Sequence, residues 1–167
     1  AAPANQPERT LLFVASGGHH GGGMNGPANF VTMNPHLVGK AVLVLYLEHI
    51  PQLYFKNDPF RLEPGEHPMR FDISNQAPGI AEIARRGVQR YGFVLLPEFS
   101  GNTPGDLGGY TPLGIPRVQA IHAGPMYHTS GDTLDTISRP GLERAARFYT
   151  FFVTEVTKAE RSVLQPQ

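Results

Sequence analysis

Seven consecutive residues, Ala41 to Leu47 (AVLVLYL), constrain the fold most. A strand-length run without polar alternation fits a central strand covered on both faces. It ends in Glu48-His49, a carboxylate and an imidazole at a strand terminus. His49 follows Glu48 and points to the opposite face, which gives it a packing or capping role rather than a ligand role. A strand of this kind needs sheet neighbours and covering helices, and the rest of the chain provides candidates for both.

Asn25 or Gly26 opens a helix with Pro27 in its first turn, running to about Met33 and stopping near Pro35. Pro78 to Tyr91 places Ile80, Ile83, Ala84 and Val88 at helical spacing and turns Arg85, Arg86 and Arg90 outward, a solvated face. Pro140 opens a last helix to about Lys158, with Leu142, Ala145, Ala146, Tyr149, Phe152, Val153 and Val156 along one stripe. Short strands are expected at Thr10–Ser16, Met69–Ser74, Phe93–Leu96 and Arg117–Ile121, with another at Leu53–Phe55 inside the Pro51–Pro68 loop. Ser100–Gly114 and Gly124–Asp135 read as loops. Strands separated by helices imply a layered α/β sheet with helices on both faces.

The first strand leads into SGGHHGGGMN, Ser16 to Asn25, where two histidines lie between glycines. Glycines permit a sharp turn and close approach to the backbone, and a polar loop at a strand end is a common place for α/β chemistry. Imidazole serves as metal ligand or as acid and base near neutral pH. Polar groups recur at other strand ends and loops: Glu48, Glu98, Asp106 and His128. A set of histidines and carboxylates converging in one crevice would make a sensible zinc site. A loop of solvated histidines is the plain alternative. For Glu98 a solvated carboxylate is the simpler reading, and His36, His67 and His122 carry no motif.

Composition removes several classes. At 167 residues the chain suits one domain. Lys plus Arg and Asp plus Glu are 14 each, so the basic excess of a nucleic-acid partner is absent. No apolar run approaches the roughly 18 residues of a membrane span. There are no cysteines, which excludes disulfides and thiolate metal sites and leaves His, Asp and Glu as ligands. The chain opens AAPANQPER without Met, so a mature start after signal-peptide removal and an internal fragment both stay open.

Tyr127 to Asp135, YHTSGDTLD, resembles the closing motif of the MH-clan zinc aminopeptidases, which include bacterial secreted aminopeptidases, glutamate carboxypeptidase II and the non-catalytic transferrin receptor. Other segments agree in order. Arg9 to Gly18 (RTLLFVASGG) is similar to the strand before the family's Glu-Glu loop, and Val42 to Ile50 to the strand ending in a metal-binding carboxylate. Pro104 to Pro116 (PGDLGGYTPLGIP) is similar to a loop with an Asp before a Gly-Ile-Pro turn, and Arg139 to Val153 to the terminal helix. The resemblance implies a partial zinc-aminopeptidase fold: a three-layer α/β sandwich whose central sheet is mixed and mostly parallel. It implies zinc as cofactor, a peptide as substrate, and an extracellular or periplasmic location.

Carried over residue by residue, the resemblance makes His20, Glu48 and His128 zinc ligands. It puts His19 at the general-base position and Tyr127 where a Tyr assists the tetrahedral intermediate in some members. Asp106 then supports the site, and Asp132 is structural. Two departures stand out. The family's Glu-Glu pair is His19-His20, and no histidine has Asp two positions later, as the family's His-x-Asp motif requires. The match also lacks the family's N-terminal portion. The expectation is a metallo-aminopeptidase-like hydrolase domain that is inactive as this chain alone, or a non-catalytic scaffold. Its incomplete sheet would self-associate or pair with a chain supplying the missing half.

Overall fold

The computed structural model describes residues 6–18, 25–48, 54–55, 62–63, 69–73, 77–93, 95–99, 105–121 and 126–165. The strands are β1 (Val44–Leu47), β2 (Tyr54–Phe55), β3 (Leu62–Glu63), β4 (Met69–Ile73), β5 (Leu95–Phe99) and β6 (Arg117–Ile121). The helices are α1 (Gly26–Met33), α2 (Pro35–Val38), α3 (Pro78–Tyr91) and α4 (Arg139–Lys158). Four strands form a mixed sheet in the order β1-β6-β4-β5, and β2 pairs antiparallel with β3. β1 and β6 are parallel, with Leu45 beside Val118. β4 and β5 are also parallel, and the middle pair, β4 with β6, is antiparallel. The expected mixed α/β sheet is therefore present. Pro97 lies in β5, which ends this strand order, and an edge tolerates a residue with no N–H to donate.

α3 and α4 supply the core. Ile80, Ile83, Ala84 and Gly87 are the buried stripe of α3. The helix stops at Gly92, whose φ of 64° is the left-handed conformation that glycine adopts without steric cost. α4 starts at Ser138, whose Oγ accepts from the Gly141 N–H at 3.1 Å. Its buried residues include Ala145, Phe148, Tyr149, Phe152 and Val156. These join Ile73 of β4, Val118 of β6, Phe93 and Leu164 in one cluster.

The α4 stripe expected from sequence is turned by part of a helical step. Leu142 is 47% exposed and Phe148, outside that stripe, is fully buried. Gly87 explains the choice. A Cβ there would lie 2.8 Å from the Phe148 ring, so the two helices meet where a glycine leaves room for an aromatic.

Tyr149 is buried beside Phe93 and Phe148, and its hydroxyl has no hydrogen-bond partner among the described residues. A buried hydroxyl without a partner costs about 1–3 kcal/mol of desolvation. Tyr149→Phe is therefore expected to raise the unfolding free energy by about 1 kcal/mol, read as a higher denaturant midpoint. Burial also pushes the Tyr149 phenol above its ordinary value. The folded chain holds that proton more tightly than the unfolded chain, so stability present below about pH 10 is lost as pH rises. The variant should flatten that alkaline loss; an unchanged or lowered midpoint would show that the hydroxyl is not a liability.

Besides the α4 stripe and the strand expected at Phe93–Leu96, which runs Leu95–Phe99, three sequence expectations are corrected. Thr10–Ser16 is not a strand: none of its residues enters a ladder among the described residues. Its ends are nevertheless held. Arg9 donates to the carbonyls of Val156, Thr157 and Ala159 at 2.6–2.7 Å, closing the C-terminal end of α4. Ser16 Oγ donates to Asp106 Oδ2 at 2.8 Å. Between these anchors Leu12 is 56% and Phe13 89% exposed. The apolar pattern of a strand is present and a pairing partner is not. The second correction concerns β1. Only Val44–Leu47 of the run pairs, and it stands at the end of the strand order rather than its centre. The third is Gly105–Leu113, expected as loop, which winds into a 3₁₀ helix and buries Asp106, Leu107, Gly109 and Tyr110.

Candidate functional site

The polar centre that the described residues build lies where β1 ends. Glu48 directly follows β1, and its carboxylate is near enough to act on the Tyr46 phenol. Tyr46 OH donates to Asp106 Oδ2 at 3.1 Å, and Ser16 Oγ reaches the same oxygen. Asp106 is buried, in the first turn of the 3₁₀ helix. That helix is seated on α1, since a Cβ on Gly109 would lie 2.7 Å from both the Ala28 nitrogen and Pro27. α1 is fixed in turn by Asn25, whose Oδ1 accepts from the Ala28 N–H at 2.9 Å. Gly26 N–H donates to Gly17 O at 3.2 Å, and a side chain on Gly26 would collide with that oxygen. The chain leaving Ser16 is thus held on two sides.

Electrostatics at this centre disfavours further negative charge. Burial raises the Tyr46 pKa, and the nearby Glu48 and Asp106 carboxylates add to the effect. Burial first, and Asp106 second, raise that of Tyr110. Both phenols therefore stay protonated at neutral pH, and Tyr46 donates to Asp106. Glu48 itself is half-buried.

His128 and Tyr127 sit in a turn at 126–131. Their rings stack with centroids 3.7 Å apart. His128 has φ 59°, the left-handed region, and is the non-glycine residue with positive φ among the described residues. Such a conformation persists where surrounding bonds determine it. Here Thr129 Oγ1 donates to Met126 O at 2.8 Å and accepts from the Gly131 N–H at 3.2 Å, and the Asp132 N–H donates to Thr129 O. The imidazole is exposed. Asp132, just past the turn, is exposed too.

Of the residues singled out by sequence, Asp106 meets Tyr46 of β1, the strand that leads into Glu48. His19, His20, His49, His67 and His122 lie outside the described residues, and Glu98 is described only as backbone in β5, opposite Asp72. No group of three or more His, Cys, Asp or Glu is gathered for a metal among the described residues. Sequence reasoning missed Tyr46 and Ser16. The signal for Tyr46 was its place two residues before Glu48 in the apolar run that leads into it; Ser16 carried none beyond its position before Gly17.

Arg85 and Arg86 read as a solvated helix face, and Arg85 is one: it forms an exposed pair with Glu82 at 2.6 Å. Arg86 instead crosses from α3 to α4, meeting Glu155 at 2.9 Å and lying over the Phe151 ring. No helix is long and apolar enough to cross a membrane among the described residues.

No protein-family model matches this sequence, and neither does any curated protein. Solved structures do match. One is a zinc aminopeptidase from Bacillus subtilis, BSAP, with a TM-score of 0.56 and 18% identity over 84% of this chain. Another is the LapA aminopeptidase of Legionella pneumophila, with a TM-score of 0.57 and 14% identity over 81%. The chain spans only 35% of the first and 36% of the second. At these identities the likeness concerns the fold: most of this chain is similar to about a third of each bacterial aminopeptidase.

Proposed function

We propose that this chain is a zinc-metallopeptidase-like domain of aminopeptidase type, catalytically impaired on its own. The carrying observation is the fold likeness to zinc aminopeptidases over most of the chain, combined with a carboxylate, Glu48, at the end of β1. On this reading the sheet and its helices belong to a three-layer sandwich, and His20, Glu48 and His128 hold one zinc. Imidazole and carboxylate are fitting zinc donors, and a chain without cysteine has no others to offer. Zinc, when bound, lowers the pKa of a bound water and polarises a peptide carbonyl. Tyr127 would donate to the developing oxyanion. His19 would stand at the base position with a ring where a carboxylate is expected, and no His-x-Asp pair provides a bridging ligand. These two departures support impairment. A secreted location, extracellular or periplasmic, goes with this reading.

The second reading, a non-catalytic scaffold, is favoured by a specific observation. Leu11 to Val14 is exposed between two anchored ends, and β1 has strand neighbours on one side only among the described residues. Such an incomplete sheet pairs with a second copy or with a chain supplying further strands.

Turnover tests the impairment that both readings share, and bound zinc separates them. The zinc-supplemented chain, assayed on aminoacyl 4-nitroanilides, is expected to give no hydrolysis above the zinc-only blank. Steady hydrolysis that disappears in His19→Ala and Tyr127→Phe would contradict impairment and make the chain a working peptidase.

A further inference from the structure

Asp106 joins parts of the chain that are far apart in sequence. One carboxylate oxygen accepts from Ser16 Oγ at 2.8 Å and from Tyr46 OH at 3.1 Å. Ser16 lies 90 residues away and Tyr46 60. The carboxylate is only 6% exposed, and its own segment is seated on α1 through the close approach at Gly109. A buried carboxylate accepting two hydroxyl donors forms charge-assisted bonds, stronger than neutral ones. Their combined effect is geometric. Tyr46 lies in β1 two residues before Glu48, which directly follows the strand, so fixing its hydroxyl fixes the end of β1. Ser16 precedes Gly17, whose conformational freedom would otherwise leave the entering chain loose.

We infer that Asp106 is a positioning residue that locks the Glu48 end of β1 against the chain arriving at Ser16, and so presets Glu48 for a divalent cation. The role rests on the zinc reading proposed above. It acts through Tyr46 and Ser16; Asp106 itself is not assigned as a ligand. Groups that orient a metal ligand typically contribute about 10–100-fold in metal affinity. The two donors share one acceptor oxygen, so their effects should not add.

Asp106→Ala could unfold the chain by leaving two donors without an acceptor. The test therefore uses Tyr46→Phe, Ser16→Ala and the double variant. Zinc and cobalt(II) affinities are measured by competition titration, the cobalt visible spectrum is recorded, and amide hydrogen exchange is followed in the metal-free chain. The expected result is an affinity about 10-fold weaker for Tyr46→Phe with an altered cobalt spectrum. The double variant should lose less than the product of the two single losses. Exchange at Leu47 and Glu48 should quicken in the metal-free variants by more than the lowered thermal midpoint accounts for, while the amides of the α3 core slow or quicken only with that midpoint.

Unchanged affinity and spectrum in variants of a zinc-binding wild type would overturn the positioning role and leave the zinc reading intact. Wild-type protein that binds neither zinc nor cobalt would overturn the zinc reading, and this role with it.

Discussion

Phe148→Ala is expected to lower the unfolding free energy by about 3–5 kcal/mol, the range for emptying a buried aromatic site. Phe148 is fully buried and its ring touches Phe93, Tyr149 and Phe152, with centroids 5.2–6.0 Å apart. It also fills the space left by Gly87, where α3 and α4 meet closely. Relaxation into the cavity is limited because α4 is anchored at both ends, by the Ser138 cap and by Arg9 on its last carbonyls. A domain typically has only about 5–15 kcal/mol of stability, so this variant should be largely unfolded in mild denaturant. Leu142→Ala, on the exposed side of the same helix, should change stability by less than about 0.5 kcal/mol. Equal losses for the two variants, read by urea unfolding, would contradict the assigned helix face.

The second large effect concerns Phe13. As purified without any partner, the chain is expected to self-associate through Leu11–Val14. Thr10 to Ser16 holds no charge and no proline, the devices that normally keep an exposed strand from pairing. The formal net charge of zero opposes no approach between copies. Burying a Phe side chain contributes about 1.5–3 kcal/mol, and a symmetric pair buries two. Phe13→Asp should therefore weaken association by about 3 kcal/mol or more, over roughly 100-fold. The same variant should leave the fold of each chain nearly unchanged, because Phe13 is 89% exposed. Sedimentation velocity across a concentration series reads both. A wild type that stays monomeric at high concentration, or association unaffected by Phe13→Asp, would contradict this surface.

What the sequence revealed followed from local physics. The bounds of α3 were readable because Ile80, Ile83 and Ala84 repeat at helical spacing and Gly92 ends the run. α1 was readable from Asn25 and Pro27. The buried face of α4 was readable in part, at Ala145, Tyr149, Phe152 and Val156; Phe148 was missed because FYTFFV has aromatic residues on several faces and the packing of Gly87 against Phe148 selects among them.

Strand pairing obeys the same limit. AVLVLYL has the composition of a central strand, yet pairing depends on which neighbours exist, and β1 and Thr10–Ser16 lack them on one side or altogether among the described residues. At the site, Glu48 and Asp106 stood out as carboxylates at chain positions suited to chemistry. Their link through Tyr46 and Ser16 is tertiary and leaves no periodic trace in sequence. The positive φ of His128 is similarly a product of the hydrogen bonds around Thr129, not of the residue itself.

The zinc stoichiometry of the wild-type chain tests the central proposal most directly. Equilibrium dialysis against zinc, followed by elemental analysis, should find one zinc per chain. His20→Ala and His128→Asn should each weaken binding by more than about 100-fold, beyond the cost of losing a merely orienting group. Asn is chosen at position 128 because it tolerates the left-handed conformation, so lost binding would not reflect backbone strain. No zinc bound to the folded wild type, or full binding in both variants, would contradict the proposed centre.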